Sequence, residues 1–285
     1  MTKYKADKKR SIDFKQIIGS IFVISGLVTM GINGYGVIRN LKRNNDALTQ
    51  SSTIERTINN EYEELTEISE VKPEQIDEQE YISKYNFEEL RKIHPDIVGV
   101  IEGNCFANGY YPVVSSTSFD DLNEKLHEDL NGNYSIAGLI VADPNNEENL
   151  NGITRIWGHH LGNEEGLMFT SLVNYDSNSY YENHKTLKYY TENGEYVLEV
   201  FACTEDNPLN QPIGYQTEEE LSQNINDVKE RSLIQTELKP STQDRIFILT
   251  TCTKLGSANE PDTRVSVYTK VTPVWEKTPT HAKSI

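Results

Sequence analysis

Short apolar stretches recur along the chain from residue 96 onward and predict a mainly β protein. Seven of them are typical of strands, because each is short, rich in β-branched or aromatic residues, and bounded by Gly, Asn, Asp or Pro. They cover residues 96–101, 110–114, 136–142, 153–157, 195–203, 245–251 and 264–271. Many short strands with few helices between them predict a β-barrel or a β-sandwich.

Three other segments carry apolar residues at helical spacing. They are residues 81–93, which stop before a proline, residues 166–175 and residues 217–234. The last segment opens with Thr217 and Glu220, spaced as a capping box in which each side chain bonds the other residue's backbone N–H. We therefore expect a helix between the predicted strands 195–203 and 245–251.

An uncharged run of 23 residues, 16–38, precedes the predicted strands and is long enough to cross a bilayer as a helix. We interpret it as a transmembrane signal-anchor, because a cleaved signal peptide has a shorter apolar region and a small-residue cleavage site. Its glycines and Asn33 leave cleavage as the alternative. The expected organisation is a cytoplasmic basic tail (1–15), the anchor (16–38), a polar stalk or linker (39–80), a folded domain (81–275) and a C-terminal tail (276–285).

Charge is unevenly distributed along the chain, whose formal net charge is −17. The first 43 residues carry a net charge of +7, and the remaining 242 carry −24. Lys and Arg before the apolar run favour a cytoplasmic N-terminus, with the folded domain outside the cell. The acidic domain lacks the clustered Lys and Arg that bind phosphates, so nucleic acid is excluded as a partner.

Three cysteines are present: Cys105, Cys203 and Cys252. An odd number leaves at least one thiol unpaired within the monomer. Neither C-x-x-C nor a zinc-type His/Cys spacing occurs, so no metal site is expected. Cys252 ends a predicted strand after Thr250 and Thr251, and this pattern alone favours a structural cysteine over a reactive one.

Two adjacent histidines also follow a strand end. His159 and His160 come directly after Gly158, where the strand 153–157 stops. A thiol nucleophile needs a nearby imidazole for proton transfer and a cationic or N–H group for the developing oxyanion. Arg264, at the start of the last strand, is a candidate for the second role, although alone it is typical of a surface strand residue.

Five sequence blocks together resemble class B sortases. ILTTC, followed by Arg264 twelve residues after the cysteine, is similar to the T-L-x-T-C…R signature of sortases. RIWGHHLGNEEGLMFTSLVNY is similar to the I-Y-G-H-N…M-F-x-x-L-x-x-Y block of class B members. HPDIVGVI, YYPVV and GNYSIAGLIVAD resemble three further blocks in the same order, so the resemblance covers residues 81–272.

This resemblance implies a sortase-type closed β-barrel of about eight strands, with N-terminal helices and a helix inserted late in the barrel. It implies a membrane-anchored extracellular cysteine transpeptidase of a Gram-positive cell wall that needs no cofactor. Such an enzyme cleaves a C-terminal sorting signal of surface proteins or pilins and passes the acyl group to an amine through a thioacyl-enzyme. The resemblance makes Cys252 the nucleophile, His159 the acid–base group and Arg264 the oxyanion-stabilising or substrate-positioning group. It also implies that Thr250 and Thr251 bind substrate.

Two residues depart from the family pattern. His160 stands where the family has Asn, so the choice between His159 and His160 depends on alignment to Gly158. Lys254 stands where class B sortases often have an acidic residue, so no carboxylate at that position orients the histidine.

Other functions remain open at the level of sequence. The acceptor amine is either a peptidoglycan precursor or a pilin Lys, and the sorting motif is undetermined. One alternative is a surface cysteine peptidase that hydrolyses peptides without joining them to an amine. Analysis of the products with and without an added amine distinguishes this peptidase from a transpeptidase. Another is a catalytically inactive anchored binding module, which alkylation of Cys252 and a cleavage assay separate.

Overall fold

The computed structural model describes residues 83–277, with four gaps, and five residues that precede them in the chain. The described residues are 42, 44–46, 48, 83–147, 150–162, 166–208, 211–253 and 263–277. The predicted basic tail and anchor, and nearly all of the stalk, lie outside them, as does the segment 254–262, which contains Lys254. No helix within the described residues is long and apolar enough to cross a membrane.

Eight strands form a closed barrel. They are β1 (Ile97–Glu102), β2 (Tyr110–Val114), β3 (Ile140–Ala142), β4 (Ile153–Trp157), β5 (Thr186–Thr191), β6 (Gly194–Asp206), β7 (Arg245–Cys252) and β8 (Arg264–Glu276). The order around the barrel is β1-β2-β3-β4-β7-β8-β6-β5, and the pairing of β5 with β1 closes it. The β2–β3 and β4–β7 pairs are parallel, and the others are antiparallel.

These strand directions give the barrel two different mouths. We call the first the Cys252 mouth; β4, β6 and β7 end there and β8 begins there. We call the second the opposite mouth; β2, β3 and β5 end there, and β1, β4 and β6 begin there. The two mouths are separated by the packed interior of the barrel.

Short helices decorate the barrel. They are α1 (Phe87–Ile93), α2 (Phe119–Lys125), a 3₁₀ helix (Thr170–Asp176), α3 (Asn178–Asn183) and α4 (Glu218–Glu230). Helix α4 lies between β6 and β7, and its predicted capping box between Thr217 and Glu220 is present. Both the closed barrel and the late helix insertion are therefore confirmed.

Alternation along β7 separates two apolar layers. Phe247 and Leu249 belong to the main core within the barrel. Ile246 and Ile248 instead pack on the outer face with residues of α4, such as Leu221. Full burial of a side chain of this size contributes about 1.5–3 kcal/mol. Strand β7 is thus held from both sides, which gives its C-terminal end a rigid support.

The structure confirms the seven predicted strands and adds one more. The additional strand is β5, where Leu187 and Tyr189 alternate with Thr and Lys, while Tyr190 breaks the alternation and packs in one apolar cluster with residues of α1. The strand predicted over 136–142 is shorter than expected, because Gly138 adopts a φ of +65° that interrupts extended backbone. The helix predicted over 166–175 is a 3₁₀ helix that begins after Met168, where φ is 54°.

Candidate active site

The pairing of β7 with β8 places a thiol opposite a guanidinium. Cys252, the last residue of β7, is the register partner of Arg264, the first residue of β8. Directly opposed residues of an antiparallel pair point to the same face of a sheet. The next pair on that face, Thr250 and Ser266, has its hydroxyl oxygens 3.3 Å apart. Cys252 and Arg264 are both half-buried, so they share one solvent-reachable face at the Cys252 mouth.

The parallel pairing of β4 with β7 brings a histidine to the same mouth. The N–H of Gly158 donates to the carbonyl of Thr250 at 3.1 Å, and the Thr251 hydroxyl donates to the carbonyl of Gly158 at 2.9 Å. His159 directly follows Gly158, and Cys252 directly follows Thr251. The half-buried imidazole and the thiol therefore start from adjacent strand ends.

The two threonines before the cysteine are buried. Thr250 is 0% exposed and Thr251 is 1% exposed. Through the bonds just described, their hydroxyls tie β7 to β8 and to the end of β4. Their role in this structure is to support the strand ends, and direct contact with a substrate stays a prediction.

The adjacent histidines have different backbone partners. His159 Nε2 lies 2.7 Å from the carbonyl oxygen of Leu126. Because a carbonyl only accepts, Nε2 carries the proton, and a neutral His159 has its proton-accepting lone pair on Nδ1. His160 Nδ1 donates to the carbonyl of Thr253 at 3.0 Å. His160 thus fastens the backbone directly after Cys252.

The contact between His159 and Leu126 depends on a glycine. Gly138 has a φ of +65°, and a Cβ there would lie 1.9 Å from the Leu126 carbonyl oxygen and 3.0 Å from His159 Cδ2. Both the backbone conformation and the available space require glycine. Gly138 therefore allows this carbonyl to reach the imidazole and set its orientation.

Substitution Gly138→Ala is expected to reduce acyl transfer about 10–100-fold, because displacing the Leu126 carbonyl misplaces the His159 ring. The strained backbone alone should destabilise the fold by about 1–2 kcal/mol. Peptide-cleavage kinetics and thermal unfolding measure the two effects separately.

Gly132→Ala is the matched control for this substitution. Gly132 also has a positive φ, +74°, but its added Cβ would meet nothing within 4 Å. It should therefore destabilise the fold by a similar backbone cost and leave the rate nearly unchanged. Equal loss of rate in both variants would show that strain, and not the Leu126–His159 contact, limits activity.

An aromatic wall lies beside His159. The His127 ring contacts the His159 ring edge-on, with centroids 5.2 Å apart. On the same loop His127 stacks on Tyr134 with centroids 6.5 Å apart, and Tyr134 is 67% exposed. These rings lie in the connection between α2 and β3, where sequence periodicity carries no signal.

The three thiols occupy different environments. Cys105 and Cys203 are buried, whereas Cys252 is half-buried. Burial raises the pKa of Cys105 to about 12 and raises that of Cys203 well above its ordinary value. Because the thiolate is the reactive form, both buried thiols are unreactive near neutral pH. Cys252 is the cysteine placed for chemistry.

Arg264 lies between the thiol and an acidic residue across the sheet. Its register partner on β6 is Asp206, and its Nη1 donates to the Thr263 carbonyl at 2.9 Å. The Asp206 carboxylate forms a salt bridge with the guanidinium of Arg231, the residue that follows α4. The guanidinium is thus placed at the edge of the Cys252 mouth, where it can donate to an oxyanion. Sequence reasoning did not identify Asp206, because only the β6–β8 register brings it beside Arg264.

No group of three or more His, Cys, Asp or Glu side chains in the described part of the chain could hold a metal ion. Cys252, His159 and Arg264 bring a thiol, an imidazole and a guanidinium to the Cys252 mouth. These are the groups that acyl transfer through a covalent intermediate requires.

Comparisons with known protein sequences and with solved structures both find sortase B proteins. No family model matches the chain. It is 32% identical over 190 residues to sortase B of Staphylococcus aureus (strain NCTC 8325 / PS 47), an alignment that covers 65% of this chain and 74% of that protein. The structure of a Staphylococcus aureus sortase B–substrate complex matches with a TM-score of 0.60 at 30% identity, covering 69% of this chain and 88% of that one. A crystal structure of sortase B complexed with triglycine matches with a TM-score of 0.59 at 30% identity, covering 66% and 86%.

Proposed function

The chain belongs to the class B sortase family of cysteine transpeptidases, and we propose that it cleaves a C-terminal sorting signal and transfers the acyl group to an amine. The observation that carries this proposal is the strand register at the Cys252 mouth. It pairs Cys252 with Arg264 and ends β4 beside them, just before His159. A closed barrel that presents these three groups on rigid strand ends suits covalent acyl transfer.

In the proposed reaction, the thiolate of Cys252 attacks the carbonyl carbon of the scissile peptide bond. Arg264 donates to the oxyanion of the tetrahedral intermediate, where charge develops. Protonated His159 gives a proton to the leaving nitrogen, the C–N bond breaks, and a thioacyl-enzyme remains. An amine then attacks the thioester carbon, His159 takes the amine's proton, and the C–S bond breaks to restore the thiolate.

The donor and acceptor classes are supported by relatives. A Staphylococcus aureus sortase B has been solved as a substrate complex, and a sortase B has been solved with triglycine. By analogy, the donor for this chain is the sorting signal of a surface protein or pilin. The acceptor is the amine of a peptidoglycan precursor or of a pilin Lys.

The proposed location is the outer face of a cell membrane. The uncharged run 16–38 would anchor the chain once, with the N-terminus in the cytoplasm and the catalytic domain outside. The charge difference between the first 43 residues and the acidic remainder supports this orientation. An anchored enzyme would meet its donor proteins as they leave the membrane.

A trapping experiment tests the proposed activity. The full chain is incubated with a library of candidate sorting-signal peptides, and protein adducts are mapped by mass spectrometry. We expect a thioacyl adduct on Cys252 that disappears faster when triglycine is added and yields a peptide–triglycine product.

Other outcomes of this experiment select other functions. Hydrolysed peptide alone, even at saturating triglycine, would identify a peptidase without transfer. Neither adduct nor cleavage across the library, with Cys252 still open to alkylation, would indicate an inactive binding module.

A further inference from the structure

A cavity of about 430 Å³ lies at the opposite mouth of the barrel. It is lined by residues from the start of β1, the ends of β2, β3 and β5, and the first parts of β4 and β6. Val98, which is 38% exposed, and the exposed Glu147 line it, so it opens to solvent. Its volume falls within the range of about 300–1,000 Å³ that is usual for small-molecule sites. Cys252 is at the other mouth, so this cavity is separate from the candidate active site.

Much of the lining is apolar. Leu150, Ile156, Tyr189 and Tyr196 line the cavity, together with Val98. The Tyr196 hydroxyl is engaged elsewhere, because it donates to Glu276 at 3.0 Å. A slender apolar ligand body in contact with these side chains would remove apolar surface from water, which favours binding.

One polar group in the lining stands apart. Thr154, on β4, is 2% exposed, and its hydroxyl oxygen has no hydrogen-bond partner among the described residues. A buried hydroxyl without a partner is destabilising. Neighbouring polar groups are paired with protein, as in the Asp143 carboxylate that accepts from Trp157 Nε1 at 2.9 Å. A ligand whose end carries a hydrogen-bonding oxygen would satisfy Thr154.

Acidic side chains predominate among the charged groups of the cavity. Asp143, Glu147 and Glu192 line it, with Arg91 as the opposing charge. Arg91 is already engaged, since its Nη2 lies 2.7 Å from Glu192 Oε2, and this bond holds the pKa of Glu192 below its usual value. The excess of carboxylates favours a cationic group on the ligand.

We propose that the cavity at the opposite mouth binds a small linear amine with a hydrogen-bonding oxygen at its far end. The ammonium group lies near Glu147, the methylene chain runs between the apolar walls, and the oxygen meets the hydroxyl of Thr154. This site uses none of the groups assigned to acyl transfer, so the binding proposal can be tested independently of the proposed function.

Calorimetric titration tests the proposal with a homologous series of linear ω-amino alcohols. The full chain carrying Cys252→Ala is used, so that no amine is consumed as an acyl acceptor. We expect one site per chain for the member of fitting length, which binds about fivefold tighter than the alkylamine of equal length without a hydroxyl. The matching ω-hydroxy carboxylate should bind at least about tenfold more weakly. Equal or tighter binding of the carboxylate, or no binding by any amino alcohol, would overturn the proposal.

Two variants locate the binding. Thr154→Val keeps the side-chain shape and should erase the advantage of the hydroxyl-bearing probe over the plain alkylamine. Ala142→Phe should fill the cavity and abolish binding of both. If circular dichroism shows that Ala142→Phe does not fold, Thr154→Val decides alone. Undiminished preference for the hydroxyl in Thr154→Val would refute the placement.

Discussion

Replacing Cys252 with Ala is expected to lower acyl transfer at least about 10³-fold while the barrel stays folded. The thioacyl bond needs the sulfur atom, and no other described thiol can substitute, since Cys105 and Cys203 are buried with raised pKa values. Cys252 is half-buried at the end of β7, so removing its sulfur opens no large cavity in the core. Peptide-cleavage rates and thermal unfolding followed by circular dichroism measure both effects.

Cys203→Ala is the informative control for this substitution. Cys203 is 0% exposed within the main core, so its loss should lower the unfolding temperature and leave the rate per folded molecule unchanged.

Iodoacetamide should label the native wild-type protein at Cys252 and leave the Cys252→Ala variant unlabelled. Residual transfer in Cys252→Ala within about tenfold of wild type would mean that the nucleophile lies elsewhere.

The resemblance to class B sortases, and not local sequence pattern, assigns the candidate reactive groups, because pattern alone favours a structural Cys252 and a surface Arg264. Local pattern does place each of them at a strand boundary, since Cys252 ends one predicted strand, His159 follows another and Arg264 opens a third. The ordered blocks around these residues also predict the closed barrel and the helix inserted before β7, which the structure confirms.

Contacts between distant segments are what sequence reading does not supply. The Leu126 carbonyl that contacts His159 lies in a connection with no periodic sequence pattern. The need for glycine at position 138 follows only from the position of that carbonyl in the folded structure. Asp206 lies beside Arg264 because β6 pairs with β8, although 58 residues separate them in the chain. Strand β5 is not predicted from the sequence for a related reason, since Tyr190 packs with residues of α1 and breaks the two-residue alternation.

The residues on either side of Cys252 hold the backbone in place and leave the thiol itself available for reaction. Thr250 and Thr251 are buried and bonded, and they fix the backbone directly before the thiol. His160 fixes the carbonyl directly after it. The position of the sulfur is thereby set by bonds on both sides of Cys252, and a correctly placed nucleophile contributes to rate by avoiding loss of orientation freedom in the transition state.

His159→Ala is expected to reduce acyl transfer by about 10²–10⁴-fold, the usual contribution of a positioned acid–base group. His160→Asn should change the rate by less than about tenfold, because the role of the His160 ring is to hold the Thr253 carbonyl. Asn is also the residue that the family pattern has at this position, and its amide can donate to the same carbonyl. Steady-state cleavage and transfer rates on one peptide compare the two variants directly.

The ranking of these two variants decides between the adjacent imidazoles. With His159 as the proton carrier, its Nε2 stays bonded to Leu126 and Nδ1 exchanges the proton, so Gly138→Ala should mimic His159→Ala in direction. His160→Asn should not, because the amide of Asn can keep the bond to the Thr253 carbonyl. A reversed order, with His160→Asn the more damaging change and His159→Ala nearly active, would transfer the acid–base role to His160. In that case the Leu126 bond would serve only to anchor a structural ring.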